Sequence, residues 1–304
     1  MHWLKMLLIV LFAVSGVCAS EEYNTAIIIG GGNAGKGNEV EFWPKESNCP
    51  LLDNLPLSLF GHSAATIESL VYTCGGNNFP DSFSECYSTD LLGDGLWQQA
   101  ESMNEKRSEF SLLGMDGSLL AIGGWNQVSY LDSIEIFDRH SWMVADFTLH
   151  TPRYAHCSVK INDKEVLVLG GGGYDGRLTS VEKVNIAKGT STYMEEMTMP
   201  RMYFGCSYDE EENRVYVSGG QGTSSLVEYL DITTGKWTRI ANMDLGRDGH
   251  KMGKIGGKLT VWGGSHNYEY TNTVEQYANE ENVWETVENL QTARYDMAMV
   301  EVAC

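Results

Sequence analysis

The sequence predicts an all-β fold in which a unit of four short strands recurs six times and closes into a ring. Three observations predict it. Diglycines begin at Gly30, Gly75, Gly123, Gly170, Gly219 and Gly263, at steps of 45, 48, 47, 49 and 44 residues. Each ends a run of four or five large apolar or β-branched residues, the composition of a buried strand. No stretch carries helical periodicity, and turn signals separate the strands. Self-similarity at a period of about 20–50 residues marks a solenoid or a propeller.

The elements follow in a constant order. The apolar runs are residues 26–29, 70–74, 119–122, 166–169, 215–218 and 259–262. After each diglycine comes a polar loop of variable length, then a second strand with an apolar–acidic pair. The pairs are Val40-Glu41, Ile134-Glu135, Val181-Glu182, Val227-Glu228 and Val274-Glu275, with Ser84-Glu85 in the second period. A turn such as residues 231–235 leads to a strand bearing Trp97, Trp142, Tyr193, Trp237 or Trp284. The first period has Asn48-Cys49 near that position instead. A polar segment with Arg107, Arg153, Arg201, Arg247 or Arg294 then opens a further alternating strand; the second period lacks the arginine.

In spacing, order and residue type these units resemble the kelch repeat, whose pattern places a diglycine after the second strand of a blade and an aromatic on the fourth. Arg153-Tyr154-Ala155-His156 and Arg247-Asp248-Gly249-His250 are similar to the stretch that opens its first strand. Six copies cover residues 24 to 303. The resemblance implies a six-bladed β-propeller of four-stranded antiparallel blades around a central channel. The first period starts at its second strand, and residues 294–302 form a first strand with no repeat after it. The tail is therefore expected to complete the first blade and cover two exposed sheet edges. Deleting the last ten residues should destabilise the whole ring.

Composition bounds the rest. The chain carries 41 acidic and 21 basic residues, a formal charge of −20. This excludes the basic footprint of a nucleic-acid binder and biases the chain toward cationic partners. Lys5, an apolar core from Met6 to Val14 and Val17-Cys18-Ala19 read as a signal peptide, residues 1–19, cleaved after Ala19. The apolar core is too short to span a bilayer. Residues 20–304 are expected to form one secreted, extracellular, monomeric propeller.

Six cysteines follow the leader: Cys49, Cys74, Cys86, Cys157, Cys206 and Cys304. They allow 15 pairings. Cys74 and Cys86 face each other across one hairpin loop and are expected to be bridged. Cys157 and Cys206, taken as equivalent positions on the innermost strands of adjacent blades, are expected to be small buried thiols.

Several motifs invite chemistry. Gly30, Gly32 and Gly35 match a dinucleotide-binding turn, as do Gly171, Gly173 and Gly176, but both lead into strands where that mechanism requires a helix. His62, His156 and His250 share one slot of alternate blades; packing histidines are expected there, with no metal and no cofactor. The run of acids at 209–212 reads as a solvated turn. The five arginines are carried as binding candidates, since a cationic ring at the channel mouth would take a carboxylate. The alternative is that each ties its loop to neighbouring carbonyls or to the repeat's glutamate. Among the variable loops, Trp125, Tyr130 and Tyr174 are the candidate anchors.

Resemblance to kelch proteins implies a non-catalytic module that binds a protein or extracellular-matrix partner, cationic in character, through loops on one face. Some secreted kelch propellers are similar to copper oxidases of sugars or to sialic acid mutarotases. The chain lacks the length and ligand set of the first. The second remains as the alternative, an acidic sugar held at an arginine-lined channel mouth. No catalytic residues are expected.

Overall fold

The computed structural model describes residues 24–32 and 37–303. The leader, its cleavage site and Gly35 of the first glycine motif lie outside the described residues. Among the described residues six antiparallel sheets form the blades, beside two short two-stranded ribbons, and in five of the blades four strands lie in chain order from the channel outward. The third blade is representative: Ser111–Met115, Ser118–Ile122, Ser133–Phe137 and Trp142–Thr148. The innermost strands of the others are Ser63–Ile67, Cys157–Asn162, Gly205–Asp209, Lys251–Ile255 and Ala298–Val302.

The last of these closes the ring. Ala298–Val302 pairs antiparallel with Thr25–Ile29, placing Ile27 opposite Val300. Here the first blade departs from expectation, because among the described residues it has three strands and no fourth. Beyond Val40–Trp43 the chain carries Pro44, Pro50 and Pro56, three of its six prolines. Proline has no N–H to give a sheet ladder, so this stretch packs as irregular chain.

The second strand of every blade is solidly apolar because both its faces are buried. Successive side chains of a strand point to opposite faces. Ile27 and Ile29 therefore pack on the second blade with Leu55, Leu59 and Val71, while Ala26 and Ile28 pack on the sixth with Ile255, Trp262 and Val274. The four remaining interfaces hold one apolar cluster each. A fully buried aliphatic side chain contributes about 1.5–3 kcal/mol, so these seams carry most of the driving force.

An aromatic latch crosses each seam near the rim. The indole N–H of Trp97 donates to Asp53 O at 2.8 Å, Trp142 to Glu101 O at 3.0 Å, Trp237 to Glu195 O at 3.1 Å and Trp284 to Ala241 O at 3.0 Å. In the fourth blade the Tyr193 hydroxyl meets Thr151 Oγ1 at 2.9 Å. The first blade, which has no late tryptophan, uses Trp43, donating to Glu288 O at 2.6 Å.

Two disulfides are present among the described residues. Cys74–Cys86 joins directly opposed residues of one hairpin. Cys157–Cys206 joins the innermost strands of the fourth and fifth blades, with Cα atoms 6.0 Å apart, which corrects the expectation of two free thiols. The two positions are not equivalent. Cys157 lies four residues after Arg153, and Cys206 lies five after Arg201. In a rotary array, equivalent side chains all point the same way around the ring. An offset of one residue turns one of them to the opposite face of its sheet, so the thiols meet across the seam.

Candidate binding site at the channel mouth

Each turn that opens a blade is built from the same four positions. The first is arginine in five of the six, and it turns back into its own blade. Arg153 donates from Nη2 to Glu182 Oε1 at 2.6 Å and from Nη1 to the carbonyls of Gly170 at 2.6 Å and Ser180 at 3.2 Å. Arg107–Glu135, Arg201–Glu228, Arg247–Glu275 and Arg294–Glu41 repeat the arrangement. All five arginines are 0–2% exposed. The arginines carried as binding candidates therefore form no cationic ring at the mouth: as in the structural alternative, the guanidiniums lock the diglycine loop of their own blade to its carbonyls and glutamate, and are shut off from ligand.

The second blade lacks both partners. Leu59 stands at the arginine position, and strand register places Tyr87, opposite Thr73, where Glu135 stands opposite Ala121. Its Cys86-Tyr87, not Ser84-Glu85, is thus the counterpart of the apolar–acidic pair. Losing both charges together leaves no buried ion unpaired, a state that costs about 3–5 kcal/mol.

The fourth position of the turn explains the diglycines. His62 is wedged between two of them: a Cβ on Gly30 would lie 2.6 Å from His62 Cε1, and one on Gly76 would lie 2.7 Å from His62 Cβ. Phe110, His156, Phe204, His250 and Met297 fill the same wedge in turn. Burial holds His62 and His156 neutral, pushing both down to about pKa 3. The imidazoles serve as packing pieces between blades.

The third position forms a collar. Gly61, Glu109, Ala155, Tyr203, Gly249 and Asp296 all have positive φ, between 47° and 62°. That conformation turns each N–H toward the preceding blade. Glu109 donates to Gly61 O, Ala155 to Glu109 O, Tyr203 to Ala155 O, Gly249 to Tyr203 O, Asp296 to Gly249 O and Gly61 to Asp296 O, at 2.7–3.1 Å. Six amides thus join head to tail around the channel. The four non-glycine members hold a left-handed conformation that costs roughly 1–2 kcal/mol each. Inside the collar about 30 Å³ remains, space for a single water, against about 370 Å³ in the channel beneath.

Small and large side chains alternate along the collar, so each glycine makes room for a neighbour. The Glu109 carboxylate lies over Gly61, and the Tyr295 ring over Gly249. Glu109 and Asp296 line the same small cavity, close enough for each to act on the other's carboxyl. Burial, with the charge of Asp296 added, raises Glu109 well above the usual carboxylate range. Burial raises Asp296 as well.

Around this pair runs a row of tyrosines. Tyr174 contacts Tyr130 with ring centroids 4.9 Å apart, Tyr130 stacks on Tyr154 at 4.7 Å, and Tyr154 meets Tyr203 edge-on at 6.4 Å. Tyr203 then contacts Tyr295 at 6.0 Å, and Tyr295 stacks on Tyr270 at 5.8 Å. The inner members are half-buried, while the ends, Tyr174 and Tyr270, are 70% and 49% exposed. Beside Tyr174 a cleft of about 540 Å³ is bounded by Tyr130, Tyr154, Arg177, Pro200 and Met202.

Of the candidate anchors, Tyr130 and Tyr174 therefore lie together on this face. Trp125 is at the base of the same loop, half-buried and bridged to Ser108 and Tyr130, outside the row. Glu109, Asp296, Tyr154, Tyr203, Tyr270 and Tyr295 were not singled out from sequence. The usable signal was register: Glu109, Tyr203 and Asp296 each stand two residues after a repeat arginine, which puts them on one ring.

Comparison with known proteins agrees with this architecture. The Kelch motif matches residues 106–145 and 212–244. Kelch-like protein 26 of Danio rerio is 24% identical over 246 residues, 73% of this chain and 38% of the relative. Kelch-like protein 33 of Homo sapiens is 33% identical over 124 residues, 39% of this chain and 23% of the relative. Kelch-like protein 36 of Bos taurus is 24% identical over 270 residues, 81% of this chain and 41% of the relative. The chain spans less than half the length of these relatives. Among solved structures, that of YjhT superposes with a TM-score of 0.70 at 14% identity, covering 81% of this chain and 89% of that one.

Proposed function

Because the chain belongs to the kelch-repeat family, we propose that it is a non-catalytic binding module taking a protein partner on the tyrosine-lined face. The observation that carries this reading is the continuous row from Tyr174 to Tyr270, with both ends open to solvent. Tyrosine gives a large contact area at low conformational cost and is enriched among residues that dominate binding. The blades hold the row rigid, so little ordering is lost on association. Net charge favours a cationic partner. A place outside the cytosol is supported by the two disulfides. The acidic-sugar alternative rested on arginines at the mouth, and those side chains are sealed inside the blades.

The test is a random-peptide display library panned against the folded chain and a Y130S/Y174S variant. Binders enriched on the unmodified protein are expected to lose about 2 kcal/mol or more on the variant, the range of interface hot spots. Binders indifferent to both substitutions would remove the face from consideration.

A further inference from the structure

Resting on that reading, we propose that the mouth above the collar is the receptor for one cationic side chain of the partner, a lysine or arginine whose charged end rests against Glu109 and Asp296. The Glu109 carboxylate of the third blade lies over the gap left by Gly61 and lines one cavity with Asp296 of the first. Asp296 is 7% exposed, and its Oδ2 has no donor group against it; Glu109 keeps part of its surface on the mouth. The cavity these residues line also presents His62 and His156, buried, with neither ring nitrogen hydrogen-bonded. The half-buried rings of Tyr203 and Tyr295 stand close enough to feel both carboxylates. A cation entering here meets negative charge below and aromatic faces at the side, the combination that recognises ammonium and guanidinium groups.

The groups around the pair set the pH dependence. Asp248 and Lys251 face it from the sixth blade, Tyr203 from the fifth and Tyr295 from the first, with His62, His156 and His250 below. Lys251 acts on both carboxylates through its charge, but among the described residues neither carboxylate makes an ion pair. Burial raises both carboxyls of the free pair. An arriving ammonium or guanidinium favours the ionised carboxylates, so a proton passes to solvent. Binding therefore releases a proton and strengthens as pH rises, until the pair ionises unaided.

The probes are N-acetyl-Gly-Arg-Gly-amide and the same peptide with citrulline, which keeps the shape and removes the charge. Both are titrated calorimetrically into the full chain at about pH 6 and about pH 8, in buffers of different ionisation enthalpy. The arginine peptide is expected to bind at least about tenfold more tightly than the citrulline peptide. Its affinity should be higher at the higher pH, with proton release. E109Q/D296N should lose that preference while keeping its melting temperature. Equal binding of the two peptides, no binding of either, or an unchanged preference in E109Q/D296N would overturn the inference. Library binders that need Tyr130 and Tyr174 but not Glu109 would leave the tyrosine face standing and sink the cation receptor alone.

Discussion

Removing the Arg153 guanidinium leaves Glu182 charged and buried with no cation, while the carbonyls of Gly170 and Ser180 lose a donor. R153L is therefore expected to cost about 3–5 kcal/mol in a chemical denaturation curve. R153L/E182Y copies the second blade, where Leu59 and Tyr87 occupy these positions, and should recover a large part of that loss. If the double change were as costly as the single one, the clamp would stabilise through its carbonyl bonds and the ion pair would contribute little. The arginines were legible as a repeating feature, but their direction was not. A guanidinium can reach the mouth or turn back into its blade. Only the register of the strand carrying Glu182 shows that a buried partner is waiting.

At the scale of the element, the two disulfides act on different loops. Cys74–Cys86 spans 12 residues within one hairpin; Cys157–Cys206 spans 49 and stitches two blades together. Loop-closure entropy grows with the logarithm of the span, giving about 3 kcal/mol for the first and about 4 kcal/mol for the second. C157A/C206A should lower the melting temperature more than C74A/C86A, each measured against the oxidised protein. An equal drop would mean that the inter-blade seam is already rigid without its bridge. The hairpin pair could be read from sequence, since its partners share one turn. The seam pair depends on a shift of one residue between neighbouring blades, which repeat counting smooths away.

The whole ring is held at its closure by a strand from the far end of the chain, and one titrating group sits on that seam. Glu301, on the closing strand, accepts the Lys254 N–H at 3.0 Å and occupies space that a side chain on Gly253 would fill. Burial raises its carboxyl from 4.5 to about 7. The folded state thus binds more protons than the unfolded one between these values, and stability is lost as pH rises through about 7. E301Q removes the ionisation, so its melting temperature should gain on the unmodified protein between about pH 5 and pH 8. A constant difference across that window would take Glu301 out of the account.

How much of the molecule was legible differs with scale. Blade number, strand order and ring closure could be read because burial on both faces imposes the same residue types at the same spacing six times. The missing outer strand of the first blade was less plain, although Pro44, Pro50 and Pro56 signalled it. The mouth was the least legible part. Gly61, Glu109, Ala155, Tyr203, Gly249 and Asp296 share a backbone conformation and a hydrogen bond but no side-chain chemistry, so nothing in their identities marks them as one set.

That hoop of amides has a consequence for traffic through the disc. With room for little more than one water at its centre, it acts as a bulkhead: a solute entering from the far side reaches Lys251 and goes no further. Whatever docks against the tyrosines therefore has no path of its own into the channel behind them.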